Sequence, residues 1–259
     1  MAMPAWRVAG TSVTGAYHAL KGDACQDRHR LTVTPGGVLI AVVSDGAGSA
    51  RFGGEGAAML CEQVSKALAA LFGRGKAKPS RALIRRGRRA VQAGIEAARA
   101  QALGEVPPDA GLYDYHATLV GAVVLPGMGG MFFHIGDGAA LAMTPGSDRW
   151  VMSAPRNGEY SYETYFFTEP NWRANLRFKL VGPGYDTIFV MTDGVTDLGL
   201  RTIAGAPQPY AQFFEPIGRF LAGVTREEGE AALAGTLDTP SARERSNDDK
   251  TLVWAQAAR

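Results

Sequence analysis

The sequence predicts an α+β fold in which packed antiparallel sheets carry their helices on the outside. Two observations carry this. Strand-like runs are short, frequent and divided by Gly/Pro turns such as Pro35-Gly36-Gly37 and Pro126-Gly127, the pattern of antiparallel sheets. Helix-like segments come in pairs that interrupt the strands and do not alternate with them, which argues against a doubly wound parallel sheet.

Taken in order, the predicted strands cover 6–13, 29–34 and 38–44, the second closed by the Pro35 turn and the third a continuous apolar run. A first helix follows over 54–73, where Ala57, Leu60, Cys61, Val64, Leu68 and Leu71 recur at spacings of three and four on one stripe. A second covers 79–103, with Ile84, Val91, Ile95 and Ala98 on one side. Strands are predicted over 117–125, 131–135, 139–143 and 150–153, each bounded by turn residues. The stretch 154–184 lacks clear periodicity apart from a strand-like run at 164–168. It is rich in aromatics, Tyr160, Tyr162, Tyr165, Phe166, Phe167 and Trp172, and reads as an elaborated surface loop or flap. A strand over 186–192, a helix pair over 209–222 and 226–237, and a strand over 251–255 complete the chain.

The 259 residues are 46% apolar and 20% charged, an ordinary composition for a soluble globular protein with a substantial core. A net charge of +2 gives no reason to expect a nucleic-acid partner. From Arg74 to Arg89 every charged residue is basic, which reads as a solvated helix face. Cys25 and Cys61 have no metal-ligand spacing and suit a reducing compartment. The start of the chain lacks a secretory pattern and no apolar run reaches membrane-spanning length, so a cytoplasmic location without membrane contact is expected.

Three strand-like runs end in Asp-Gly: "VVSDGAGSA" at Asp45-Gly46, "FFHIGDGAAL" at Asp137-Gly138 and "FVMTDGVTD" at Asp193-Gly194. Asp-Gly is the favoured two-residue hairpin loop, because both central positions of its turn need positive φ. That reading suits Asp137, since 139–143 supplies a returning strand, and suits Asp45 poorly, since a glycine-rich loop and a helix follow. Asp27 in "CQDR" and Asp248 in "NDDKTLV" also flank strands. Several carboxylates without His or Cys clusters suit a hard cation such as Mg²⁺ or Mn²⁺, and their mutual repulsion requires one.

The ordered series "CQDR", "VSDGAGSA", "ATLVGAVV", "HIGDGAAL", "FVMTDGVTD" and "NDDKTLV" resembles the metal-dependent protein phosphatase family of the protein phosphatase 2C type in its bacterial form. The likeness runs from about Gly10 to Trp254. It implies a β-sandwich with helices on both outer faces, formed by one phosphatase domain over 1–259 with a flap at about 154–184. It further implies a phosphoserine/phosphothreonine protein phosphatase that uses metal-activated water and forms no covalent intermediate. By the same resemblance Asp45 bridges two Mg²⁺ or Mn²⁺ ions, the Gly46 carbonyl binds one of them, Asp193 and Asp248 complete the first metal's shell, and Asp27 acts directly or through water. Asp137 matches the acid of a third, weaker metal site, which stands beside the hairpin reading. The stretch "NGEYSYETYFFT" is similar to a bacterial subgroup that accompanies a protein kinase and a von Willebrand A domain protein, which implies a phosphoprotein substrate and a cognate kinase.

The chain departs from the family pattern in places. Ala47 stands where animal members carry a His thought to protonate the leaving group, so the general acid is unassigned. Ser49 replaces a glycine, and Asp249-Lys250 follow the last metal acid in place of Asn and an aliphatic residue. No Arg stands shortly before Asp27, in "HALKGDACQD", leaving His18 and Lys21 as the nearest cations for the substrate phosphate. A catalytically silent phosphoprotein-binding module and a small-phosphoester hydrolase are the competing functions.

Overall fold

The computed structural model describes residues 6–73, 80–125, 127–156 and 164–258. In chain order the elements are β1 (Trp6–Val13), α1 (Ala16–Lys21), β2 (Arg28–Val33), β3 (Leu39–Ser44), α2 (Gly53–Phe72), α3 (Arg81–Glu105), a 3-10 turn (Leu112–Tyr115), β4 (Leu119–Leu125), β5 (Gly129–Ile135), β6 (Ala139–Met143), β7 (Trp150–Ser153), α4 (Trp172–Asn175), β8 (Arg177–Val181), β9 (Thr187–Met191), α5 (Asp193–Gly199), β10 (Leu200–Ile203), β11 (Ala206–Pro209), α6 (Ala211–Leu221), α7 (Arg226–Leu237), α8 (Pro240–Arg245) and β12 (Lys250–Ala257). Two five-stranded sheets have the orders β1-β12-β9-β6-β7 and β2-β3-β4-β5-β8, and every neighbouring pair in them is antiparallel.

Period-two alternation inside wholly apolar strands builds the layers. In β3, Leu39, Ala41 and Val43 point into the space between the sheets and meet Val190, Val253 and Ala255 there. Ile40 and Val42 point the other way, into a core capped by Leu60, Val64 and Leu68 of α2 and Val91 and Ile95 of α3. The second outer core sets Phe189, Leu252 and Trp254 against Phe214, Leu221, Leu233 and Leu237 of α6 and α7. Helices therefore cover both outer faces of a two-sheet sandwich, as expected.

The predicted strand at 164–168 does not form. Phe167 and Trp172 instead bury their rings in the α2–α3 core, and Arg177–Val181 is the edge strand β8. The stretch 154–184 is thus regular at its far end and anchored in its middle, not an irregular flap throughout. Most of the "NGEYSYETYFFT" segment, 157–163, lies outside the described residues.

Candidate active site

All five expected acids lie where a strand meets a loop at one end of the sandwich. Asp45 follows β3, Asp137 lies between β5 and β6, Asp193 follows β9 by two residues, and Asp27 and Asp248 precede β2 and β12. The strands concerned belong to both sheets, so the cluster exists only when the sheets pack.

Topology overturns the hairpin reading of Asp137-Gly138. β5 and β6 lie in different sheets, and Gly136, not Gly138, has the positive φ of 105°. None of the three glycines after an acid adopts positive φ; each is required by close approach. A Cβ on Gly46 would sit 2.3 Å from the Gly53 carbonyl carbon, and one on Gly194 would sit 2.0 Å from the Asp249 carbonyl oxygen.

Asp27 is buried, Asp45, Asp137 and Asp193 are part-buried, and the pKa of each of these four is raised. Burial foremost, then the charges of Asp27, Asp248 and Asp137, hold the Asp45 carboxyl well above the usual range. Burial and then Asp45, Asp137 and Asp248 do the same to Asp193. Asp27 is pushed up to about 8 by burial, with Asp193 and Asp249 adding and hydrogen bonds from Thr192 and Thr251 opposing. Asp137 is raised by burial, against a hydrogen bond from Thr164. Asp27 Oδ1 and Asp137 Oδ1 are buried without a hydrogen-bond donor. Among the described residues no three His, Cys, Asp or Glu side chains close around one point as the ligands of a single ion do.

Hydroxyls and backbone amides fix these acids. Thr192 Oγ1 donates to Asp27 Oδ2 at 2.7 Å and accepts from the Thr251 N–H at 2.9 Å, tying the loop before β2 to β9 and β12. The Asp45 N–H donates to Thr118 Oγ1 at 3.1 Å, and the Thr118 N–H donates to the Asp45 carbonyl at 2.8 Å. The Gln26 amide nitrogen faces the carbonyls of Gly46 and Ala47 at 3.1 and 3.3 Å. Gly46 pairs with Ala117, and the Ala47 N–H donates to the His116 carbonyl at 2.9 Å, so His116 is the cross-strand neighbour of Ala47.

Asp249 has a part the sequence did not show. Its carboxylate is 1% exposed and accepts from the N–H groups of Gly15 and Gln26, both at 2.6 Å, fastening the loops before α1 and β2 to the start of β12. The doubled acid at 248–249 was the available signal. His18, expected near the substrate phosphate, is buried with Nδ1 3.0 Å from Asp249 Oδ2, though without the alignment of a hydrogen bond. Its Nε2 lies beside Gly48 of the Asp45 loop. Lys21 is exposed and rests on the Tyr17 ring, 3.9 Å from its centroid, with a hydrogen bond to the Tyr17 hydroxyl. Arg28 turns back to the carbonyls of Cys25 and Asp27. Concavity alone does not locate this site: a pocket between α6 and the β1 sheet, around Arg7, Phe189 and Arg219, lies toward the other end of the strands, and another includes Asp27.

Residues 14–238 match the family model described as Protein phosphatase 2C. The chain is 27% identical over 263 residues to Serine/threonine-protein phosphatase 3 of Escherichia coli (strain K12), covering 97% of this chain and 99% of that one. Among solved structures it superposes on a serine/threonine phosphatase of Staphylococcus aureus with a TM-score of 0.62 at 14% identity, covering 97% of this chain and 95% of the other. It superposes on serine-threonine phosphatase 2C of Toxoplasma gondii with a TM-score of 0.64 at 14% identity, covering 100% and 96%. These structural likenesses carry the fold, the family model covers all but β1 and β12 of the two sheets and four of the five expected acids, all but Asp248, and on that match the chain belongs to the protein phosphatase 2C family.

Proposed function

We propose that Asp27, Asp45, Asp193 and Asp248, with the Gly46 carbonyl, form the divalent-metal centre of a protein serine/threonine phosphatase, and that Asp137 serves a further, weaker ion. The observation that carries this is the burial of mutually repelling carboxylates at one end of the sandwich, two of them with an oxygen that has no donor. An all-oxygen donor set fits a hard cation such as Mg²⁺ or Mn²⁺, and the side chains must draw closer than they stand to share one. When bound, such ions supply charge for the phosphoryl oxygens and a water acidic enough to attack at neutral pH.

The chain's own residues do the rest. Asp45 and Asp193, held at the tips of β3 and β9 in opposite sheets, fix the spacing across the sandwich. Thr192 holds Asp27 in place, and Asp249 holds the loop that bears it. A silent binding module would have no use for this repulsion. The substrate is a phosphorylated protein, and the kinase that makes it is the natural cognate partner. Among the described residues no helix is long and apolar enough to cross a membrane, and both cysteines are free thiols, which supports a cytoplasmic location. Phosphate release from a phosphothreonine peptide, dependent on added Mn²⁺ and abolished by EDTA, is the test; absence of release at any Mn²⁺ concentration would sink the proposal.

A further inference from the structure

We propose that the far end of the sandwich carries a docking groove for an acidic, apolar-anchored peptide segment of a partner protein. Arg81, Arg85, Arg86, Arg88 and Arg89 fall within the first nine residues of α3, whose first turn holds no acid. All five are exposed. The arginine ion pairs among the described residues involve Arg30, Arg51, Arg173, Arg226 and Arg243 instead. A cation in the first turn of a helix, such as Arg81, opposes the positive end of its dipole. A solvated face has no need of that arrangement; a face that meets anions does.

An apolar depression of about 190 Å³, open to solvent, lies beside these arginines. Val123 and Met131 form its floor, Leu83 and Ile84 its helical wall, and Met128 and Leu180 its lip. The lip residues are 42% and 52% exposed. At 100° per residue, Leu83, Ile84 and Gly87 share the face of α3 that looks into the groove, Arg81 and Arg88 line one flank and Arg86 the other, and Arg85 and Arg89 point away. The Arg88 guanidinium stands 5.0 Å over the Phe178 ring, on the β8 face that also carries Leu180, so charge and apolar surface meet along one edge.

The shape favours a peptide over a lipid surface. Among the described residues only two large apolar side chains stand at the lip, too few to insert into a membrane, whereas the concavity suits one or two buried side chains. Arginine's planar fork pairs bidentately with carboxylates. β8 is also the last strand of its sheet, an edge that an extended segment can approach. The groove lies at the Leu125–Gly129 end of β4 and β5, whereas the acids lie at the other end of these strands, about 20 Å away. Docking here would bring a partner to the enzyme without touching the reacting centre.

Selection of a random 12-residue peptide library on the immobilised protein, followed by fluorescence anisotropy with the selected synthetic peptides, tests this. Enriched sequences should carry several Asp or Glu around one or two large apolar residues. Their affinity should fall about 10-fold or more in R81E/R88E and separately in L180D, and weaken steeply with salt. Unchanged thermal melting shows that both variants fold, and Mn²⁺-dependent hydrolysis of p-nitrophenyl phosphate, read on the same proteins, reports on the metal centre independently. Absence of acidic enrichment, or equal binding by the variants, would overturn the proposal. So would binding to phosphatidylglycerol vesicles that both variants lose while no peptide is enriched, which would assign the face to a membrane.

Discussion

Asp193 and Asp45 occupy buried sites that disfavour their own charge, which sets two opposite expectations for one substitution. Replacing either by Asn removes a buried like charge, so D193N and D45N should melt higher than wild type in EDTA. The same change removes ligand charge, so Mn²⁺-dependent phosphate release should fall by about 100-fold or more, the scale on which single electrostatic contacts to a reacting group act. Near-normal turnover in either variant would remove that residue from the centre. Asp249 should behave in reverse. Its carboxylate holds the Gly15 and Gln26 amides, and D249A leaves two largely buried donors unpaired, at about 3 kcal/mol of stability. Urea denaturation in EDTA, where metal binding makes no contribution, measures that loss directly. The acids were legible because an acid and a glycine at the end of an apolar strand are visible in one dimension. Asp249, Thr192 and Thr118 were not, because their roles arise from pairing with Gln26, Asp27 and Asp45, distant in sequence.

Elements were readable where burial was two-sided or periodic. β1 and α7 run over the residues expected, α7 because it starts directly after Thr225, whose hydroxyl and Glu228 close a capping box. α5 was missed because its seven residues begin on the catalytic-type acid Asp193 and include two glycines, too short and too irregular for a period. β8 was missed because Lys179 and Leu180 are exposed and the flanking aromatics suggested a loop. Those aromatics matter for the region between β7 and β8. With Phe167 and Trp172 in the core, deletion of 154–184 would unfold the protein rather than report on substrate access. Arg156 and Tyr165, with the guanidinium 5.8 Å from the ring centroid, give a gentler test. If this segment shapes access for a protein substrate, R156A/Y165A should raise KM for a phosphoprotein several-fold and leave p-nitrophenyl phosphate turnover unchanged. Equal losses on both substrates would assign the segment a purely structural role.

At the scale of the whole molecule, the two sheets hold together a cluster whose charges push it apart, so stability, pH and metal are linked. Carboxylates whose folded pKa lies above the unfolded value of about 3.9 keep protons in the native state that the unfolded chain releases. The native state is therefore favoured at low pH and loses stability as pH rises through the folded values, a range that for Asp27 extends to about 8. His134 acts oppositely: buried, with Arg177 nearby, its pKa is held well below the usual value. The stability that follows from its neutral native form is present above about pH 6.5 and is lost below it. Between about pH 7 and 8 His134, like His29 and His116, whose pKa burial also lowers, is mostly neutral in both states, and the acids dominate. In EDTA the melting temperature should fall across that window, with a slope on the order of 1 kcal/mol per pH unit for each such proton. Mn²⁺ competes with those protons for the same oxygens, so the stabilisation it adds should grow from the lower pH to the upper. Thermal denaturation at both ends of the window, with EDTA and with saturating Mn²⁺, measures the difference. A metal-free melting temperature that holds or rises across the window would mean that the carboxylates are not forced together by the fold, and the proposed centre would lose its physical basis.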